Sequence, residues 1–455
     1  MQQIEINSDF IQRIKNLIIQ GNDTELKQLL NQLYAADIAE IFEDVNLTEG
    51  TYLYRLLDNE ISADVLVELD EDDREKLLAS FTSKEIAEEI IENIESDDAA
   101  DMIAELPDKK QEEVLAHIED TEQVNDIVDL LTYEEGSAGS IMAKELISVN
   151  VIWTINQSIR EMRKQAENVE KIYTIYVIDN KETLLGRLSL KKLLFAKNTP
   201  KTNIKEVYNS DELITVTPDI DVEEVAQIME KYNLIVLPVV DADHILLGRI
   251  TIDDVVEVIK EEAEKDYQMA SGISEDVEHD DSVWDHTRAR IPWLLIGMAG
   301  GLAAAQIIGI FDITKHPEMV IFIPLIAATG GNVGVQSAAI VVQGLANNTL
   351  KQNQTGKLLF KELGVGLFNG VLLSALLFII NQFFGRDIRL ALSVSISLIA
   401  VITFAALFGT FIPLTLNKYK VDPAVATGPF ITTINDVFGL VIYFTVTGMV
   451  YQYLV

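Results

Sequence analysis

The sequence predicts a multidomain membrane protein: an N-terminal α-helical superhelix, a duplicated α+β unit, a helical connector and an all-α domain of five membrane-spanning helices. Three observations predict it. Residues 1–290 carry 27 Lys+Arg against 66 Asp+Glu, a balance of −39, whereas residues 291–455 carry 8 against 6, a balance of +2. YVIDNKETLLGRLSLKKLL from Tyr176 returns as PVVDADHILLGRITIDDVV from Pro238. Five long apolar runs then fill the charge-poor end of the chain. With 455 residues the chain has room for several domains.

Residues 1–132 read as helix throughout, because apolar residues recur three and four apart between acidic positions. LDEDDREKLLASF from Leu69 is echoed by IESDDAADMIAEL from Ile94, which suggests a small α-solenoid of one or two short helices per unit. The N-terminus, MQQIEINSDF, has neither a basic nor an apolar leader region, so this part is expected to stay on the side where it is made. Strong acidity disfavours nucleic acid and anionic lipid as partners and attracts cations. With no Cys there is neither a disulfide framework nor a thiolate metal site.

In residues 137–260, Asp179 to Gly186 and Asp241 to Gly248 share one spacing, and each Gly precedes an Arg. Both halves read strand, turn, strand, helix, preceded by an amphipathic helix (from Ile159 and from Val222). This duplication resembles a tandem pair of CBS domains, a module that commonly binds adenosine nucleotides, ATP among them, or acts as a regulatory dimerisation unit. Residues 261–290 form an acidic helical connector ending in VWDHTRARIPWLL, where Pro292 suits the first turn of a helix and Trp293 a membrane interface. His244 and His279 read as surface residues.

The apolar runs are Trp293–Phe311, Val320–Ala346, Leu363–Phe384, Leu390–Leu416 and Ala424–Leu454, each near or above the ~20 residues that cross a bilayer as helix. With the acidic part inside the cell, the inner flanks carry Arg288, Arg290, Lys351, Lys357, Lys361, Lys418 and Lys420. The outer loops carry Lys315, Arg386 and Arg389. That excess follows the positive-inside rule and leaves the C-terminus outside.

The second run contains Gly330, Gly331, Asn332, Gly334, Gln336 and Ser337, small and polar residues that suit close helix packing or a polar lining. In the fifth, Thr432, Asp436 and Tyr443 fall near one helical face. Asp436 is the only charged residue from Pro423 to the end, and none of the five runs holds a Lys, Arg or His. An intramembrane carboxylate is costly, and facing a bundle interior it marks an ion path by default. Without an internal counter-charge, its natural partner is an external cation. Oxygen donors without Cys or His suit a hard ion. Mg2+ keeps several waters and needs one or two carboxylates, which one Asp per chain doubled by a two-fold axis supplies. This chemistry leaves Ca2+ and Mn2+ open.

The domain order, with RIPWLL, GGNVGVQS and DPAVATGPFITTINDVFGLVIYF, resembles the MgtE family of magnesium channels over nearly the whole chain. The resemblance implies a homodimer in the cell membrane with its pore on the two-fold axis, Asp436 as the ion-binding acid, Thr432 offering a backbone carbonyl and Asn332 beside the pore. It further implies regulatory Mg2+ between the cytoplasmic domains, holding the connector, or plug, helix so that the pore closes. The matching positions are Asp97, Asp101, Asp221, Glu223, Asp254, Glu257, Glu262 and Asp266. Asn233 stands where the family often has an acid, and Lys265 interrupts the acids of the connector.

The reading is therefore a passive, Mg2+-closed magnesium channel with no enzyme chemistry; no GxxxxGK[ST] loop is present. Two alternatives stay open on the residues alone. One is a secondary transporter coupling divalent cations to H+ or Na+; the other is a non-transporting membrane sensor whose CBS pair reads a nucleotide.

Overall fold

The computed structural model describes residues 6–166, 169, 171–195, 202–211, 213–274, 277, 281–311, 317–346, 350, 355–426 and 428–453. His279, Lys315 and Lys351 lie outside these residues. The chain divides into two compact units, one ending at Ile259 and one beginning at Lys260.

In the first unit, helices α1 (Ser8–Gln20), α2 (Asp23–Leu30), α3 (Ala35–Glu43), α4 (Leu47–Tyr54), α5 (Asn59–Val67) and α6 (Glu71–Leu78) succeed one another. α7 (Ser83–Glu85) runs on through a π turn and a 3-10 turn, followed by α8 (Ser96–Ala104), α9 (Asp108–Leu115) and α10 (Thr121–Leu130). Short polar residues set the boundaries. Asn7 caps α1, Gly21 ends it in the left-handed region, and Asn46 with Glu49 and Thr82 with Glu85 form capping boxes. The apolar positions between them close a continuous core that runs from Ile11 and Leu26 through Ile103 and Ile127 into Val225, Leu237 and Ile250.

The duplicated segment folds as two related halves. β1 (Ser148–Asn150) pairs parallel with β2 (Ile175–Ile178), which pairs antiparallel with β3 (Leu184–Leu188); α11 (Ile155–Gln165) precedes β2 and α12 (Leu190–Phe195) follows β3. In the second half α13 (Val222–Tyr232) precedes the antiparallel pair β4 (Val236–Val240) and β5 (Leu246–Thr251), and α14 (Ile252–Ser271) follows. The repeated glycines lie where backbone comes too close for a side chain. A Cβ on Gly186 would meet the Asn209 carbonyl at 2.4 Å, and one on Gly248 the Ala143 carbonyl at 2.7 Å. Asn233 ends α13 in the left-handed conformation that Asn tolerates, which gives this residue a structural reason to be there.

Among the described residues the second unit contains five helices long and apolar enough to cross a membrane: α15 (Val283–Ile310), α16 (Ile323–Ala346), α17 (Thr355–Phe383), α18 (Ile388–Lys418) and α19 (Gly428–Tyr453). A 3-10 turn, Pro317–Phe322, leads into α16. α18 is the most enclosed and packs on α16, α17 and α19, while α15 packs on α19. Two sequence expectations are corrected. Pro292 lies well inside α15, not in its first turn, because the Ser282 hydroxyl accepts from the Trp284 and Asp285 N–H groups and starts the helix earlier. α17 begins at Thr355, so the third membrane helix also contains Lys357, Lys361 and Glu362.

Candidate functional site

In the membrane unit, glycines bring helices to backbone contact around α19. A Cβ on Gly331 of α16 would sit 3.2 Å from Thr432 Cγ2 and 4.0 Å from Asp436 Oδ1. One turn on, a Cβ on Gly334 would sit 1.9 Å from Asn435 Nδ2, and one on Gly409 of α18 would lie 2.3 Å from the Gly334 carbonyl oxygen. Gly300 of α15 accommodates Thr433 in the same way. At the other end of α19, the Tyr443 hydroxyl donates to the Met319 carbonyl at 2.9 Å, and Ser397 and Thr447 share a 2.6 Å hydrogen bond. Asp436 and Thr432 are half-buried one helical turn apart; Asn332 and Gln336, one turn apart on α16, are exposed. The Asp436 carboxylate makes no hydrogen bond or ion pair among the described residues. Thr432 lies inside the continuous helix, and its hydroxyl donates to the Gly428 carbonyl at 2.9 Å.

Among the buried polar groups of this unit that escaped the sequence reasoning, Glu362 and Asn435 lie closest in kind to the candidate site residues. Glu362 is 6% exposed and accepts from Ser337 Oγ at 3.2 Å. It sits one residue before the apolar run and beside Lys361, where a run drawn on apolar residues stops. Asn435 is 1% exposed, and neither its amide nitrogen nor its oxygen has a partner among the described residues. Its signal was overshadowed by the neighbouring carboxylate.

In the soluble unit, α8 presents an acidic cluster. The Ser96 hydroxyl and N–H donate to Glu145 Oε2 at 2.8 and 3.2 Å, fixing the start of the helix. Asp97 is buried with Oδ1 unpartnered among the described residues, and burial, then Asp98 and Asp254, push its carboxyl well above the usual range. Burial, then Asp254 and Asp101, push Asp98 up to about 8. Asp254 accepts from Thr251 Oγ1 at 2.6 Å and from its N–H at 3.1 Å, yet burial still raises it. Asp101 and Glu257 both act on the Asp98 carboxyl and on the Arg74 guanidinium, which bonds Glu105. The structure thus brings Asp97, Asp101, Asp254 and Glu257 into one neighbourhood.

Asp221 and Glu223 are exposed at the start of α13, where Asp221 Oδ1 caps the helix by accepting from the Glu223 N–H at 2.8 Å. Glu262 pairs with Lys265 at 3.8 Å on the surface of α14. Asp266 is half-buried, and burial, then Asp422 and Glu262, raise its carboxyl. Among the described residues no three His, Asp or Glu side chains converge tightly enough to hold a metal ion by themselves. A partly open cleft of about 10 Å³ is lined by Lys171, Tyr173, Thr174, Tyr176 and Arg249.

The raised carboxyls make the soluble unit sensitive to pH. A carboxyl whose folded pKa lies above its ordinary value contributes fully only while protonated; that contribution is complete below about pH 4 and is lost as pH rises towards 8. In Mg2+-free buffer, the urea midpoint followed at Trp153 should fall between about pH 5 and pH 8, and added Mg2+ should flatten the fall. A flat profile without Mg2+ would contradict the charge crowding at Asp97 and Asp98.

The pattern of the divalent cation transporter family MgtE matches residues 323–446, that of the MgtE intracellular N domain residues 33–136, and that of the CBS domain residues 138–198 and 204–261. The magnesium transporter MgtE of Bacillus subtilis is 30% identical over 439 residues, 96% of either chain, and that of Enterococcus faecalis 34% identical over 338 residues, 74% of either chain. The crystal structure of the cytosolic domain of the Mg2+ channel MgtE in complex with ATP superposes with a TM-score of 0.51 at 29% identity, covering 55% of this chain and 99% of that one. Likeness sustained from the helical domain to the last membrane helix makes this chain a member of the MgtE family of transporters.

Proposed function

We propose that the chain transports Mg2+ across the cell membrane as a homodimeric channel, passively and inward, and that Mg2+ on the cytoplasmic side closes it. The observation that carries this reading is the uncovered polar face of the bundle. Asn332 and Gln336 are exposed on a membrane helix, and the half-buried Asp436 stands on the adjoining helix without a partner among the described residues. Polar side chains turned to acyl chains are costly, and their usual place is a bundle interior or a water-filled cavity. A second copy related by a two-fold axis covers that face and doubles the carboxylate. Two carboxylates, flanking amides and the Thr432 carbonyls suit a cation that retains its waters.

In this reading the chain divides at about residues 132, 260 and 290 into regulatory helical domain, CBS pair, connector and pore domain. The acidic part lies in the cytoplasm and the C-terminus outside. Crowded carboxylates at Asp97, Asp98, Asp101, Asp254 and Glu257 support closure by Mg2+, because domains bearing them approach fully only when cations offset the repulsion. Asp221, Glu223, Glu262 and Asp266 extend that acidic surface, and an adenosine nucleotide at the CBS cleft adds a second regulatory ligand.

Patch recording of purified protein in lipid tests the reading. Wild type should give single-channel Mg2+ currents that decline as cytoplasmic Mg2+ rises. Asp436→Ala should conduct at least ~100-fold less, since one charge at about 4 Å is worth on the order of 4 kcal/mol at a partly screened site. Mg2+ flux without resolvable openings would replace the channel by a coupled transporter. Undiminished flux in Asp436→Ala would remove the carboxylate from the path.

A further inference from the structure

A buried cation stands within the acidic cluster of the soluble unit. Arg249, on β5 of the second CBS half, is 4% exposed. Its Nη2 donates to both carboxylate oxygens of Glu95, at 2.6 and 2.7 Å, and its Nε donates to the Glu145 carbonyl at 2.7 Å. Its guanidinium carbon lies 5.4 Å from the centre of the Tyr173 ring. Asp97 and Asp254 both act on the same guanidinium. Glu95 immediately precedes α8 of the helical domain and lies 154 residues from Arg249 in sequence. Glu145 belongs to the strap that enters the first CBS half, and its own carboxylate holds the start of α8 through Ser96. A single side chain therefore ties the helical domain, the strap and the second CBS half together.

The internal repeat supplies a comparison. Arg187 occupies the matching position after Gly186 in the first half, where it is half-buried and forms no ion pair among the described residues. The repeat alone does not produce the contact. What distinguishes Arg249 is the acidic end of α8 packed against it.

We infer that Arg249 is a resident counter-cation which holds the helical domain against the second CBS half in the absence of metal, doing permanently part of what a divalent ion does reversibly. Its physical basis is local. A guanidinium offers a rigid fork that matches a carboxylate in two bonds, and it stays charged at any pH the protein meets. It offsets one negative charge of Glu95, while Asp97, Asp98 and Asp254 remain crowded nearby and available to a further cation. The contact should therefore have a metal-independent floor on which Mg2+ acts. That last step rests on the Mg2+-closing reading proposed above; the bridge itself does not.

Because the chain has no Cys, two labels can be placed without background. Lys109→Cys on α9 and Asp243→Cys in the β4–β5 turn are exposed sites on the two sides of the contact. Spin labels there, in full-length protein in lipid nanodiscs diluted with unlabelled chain, report the separation by pulsed dipolar spectroscopy. In EDTA, the otherwise wild-type chain should keep a dominant short distance. Arg249→Gln should lose it in EDTA and regain it when Mg2+ is added. Glu95→Gln removes the other half of the bridge without touching the strand, and should behave alike even where the Arg249 variant folds poorly. A long distance for the parent chain in EDTA, or a short one retained in both variants, would overturn the inference. A short distance in the parent, lost in the variants but not restored by Mg2+, would leave the bridge standing and count against Mg2+ as the closing ion.

Discussion

Gly409→Ala should abolish Mg2+ uptake and lower the melting temperature of the purified protein, although it adds one methyl group. That methyl would lie 2.3 Å from the Gly334 carbonyl oxygen, a backbone atom of the neighbouring helix that no rotamer change can remove. Relief requires α16 and α18 to part along their length, and α18 is the helix on which α16, α17 and α19 all pack. Overpacking a close-packed interior costs typically ~1–3 kcal/mol where side chains can yield, and more where the obstacle is backbone. Moving α16 also displaces Gly331, against which Thr432 and Asp436 rest, so the proposed ion path loses its geometry with the packing. Gly297→Ala and Gly301→Ala are the controls, since nothing lies within 4 Å of an added Cβ at either. They should match wild type in uptake and melting. A Gly409→Ala protein that transports and melts normally would show that the α16–α18 contact is looser than described.

Deleting residues 1–132 should leave a pore that stays open at cytoplasmic Mg2+ levels that shut the full chain. The deletion removes Asp97, Asp98 and Asp101 together, and with them one side of the acidic cluster. Carrying a gate from mostly open to mostly closed needs about 5.5 kcal/mol of differential binding, and no single exposed carboxylate supplies that. The deletion also uncovers apolar residues of the remaining part, among them Val222, Val225 and Leu237, which share a core with the helical domain. The recording therefore belongs in patches of proteoliposome membrane, with Asp436→Ala in the same truncated background to show that the current follows the same path. Unchanged closure by Mg2+ in the truncated protein would refute an inhibitory role for the helical domain.

Much of the architecture was legible because its signals are local. The repeated LLGR stretches announced two equivalent turns of chain, and the structure gives each repeated glycine the same cause, a carbonyl too near for a side chain. The membrane helices were legible from apolar length alone, but their ends were not. Pro292 has a strong preference for a first turn, and the Ser282 cap overrode it from ten residues upstream. Glu362 was hidden because a window drawn on hydropathy stops at the first charge, while the helix continues beyond it. In the soluble unit the acids of α8 and α14 could be named from sequence, but their neighbourhood could not be separated from the solvated acids around them. Asp221 shows the difficulty, since a carboxylate beginning a helix serves equally as a cap. The Arg249–Glu95 bridge joins residues so distant in sequence that no spacing could reveal it.

The exposed amides of Asn332 and Gln336 have a genetic consequence. In the proposed homodimer the ion path is shared between two copies, so a subunit lacking the Asp436 carboxylate is not merely silent when made beside a normal one. It competes for partners with the same polar face, and by random pairing of equal amounts only about a quarter of the pairs would be wholly normal. Loss at the path should therefore be dominant. Loss through a bundle that never assembles, as expected of Gly409→Ala, should be recessive.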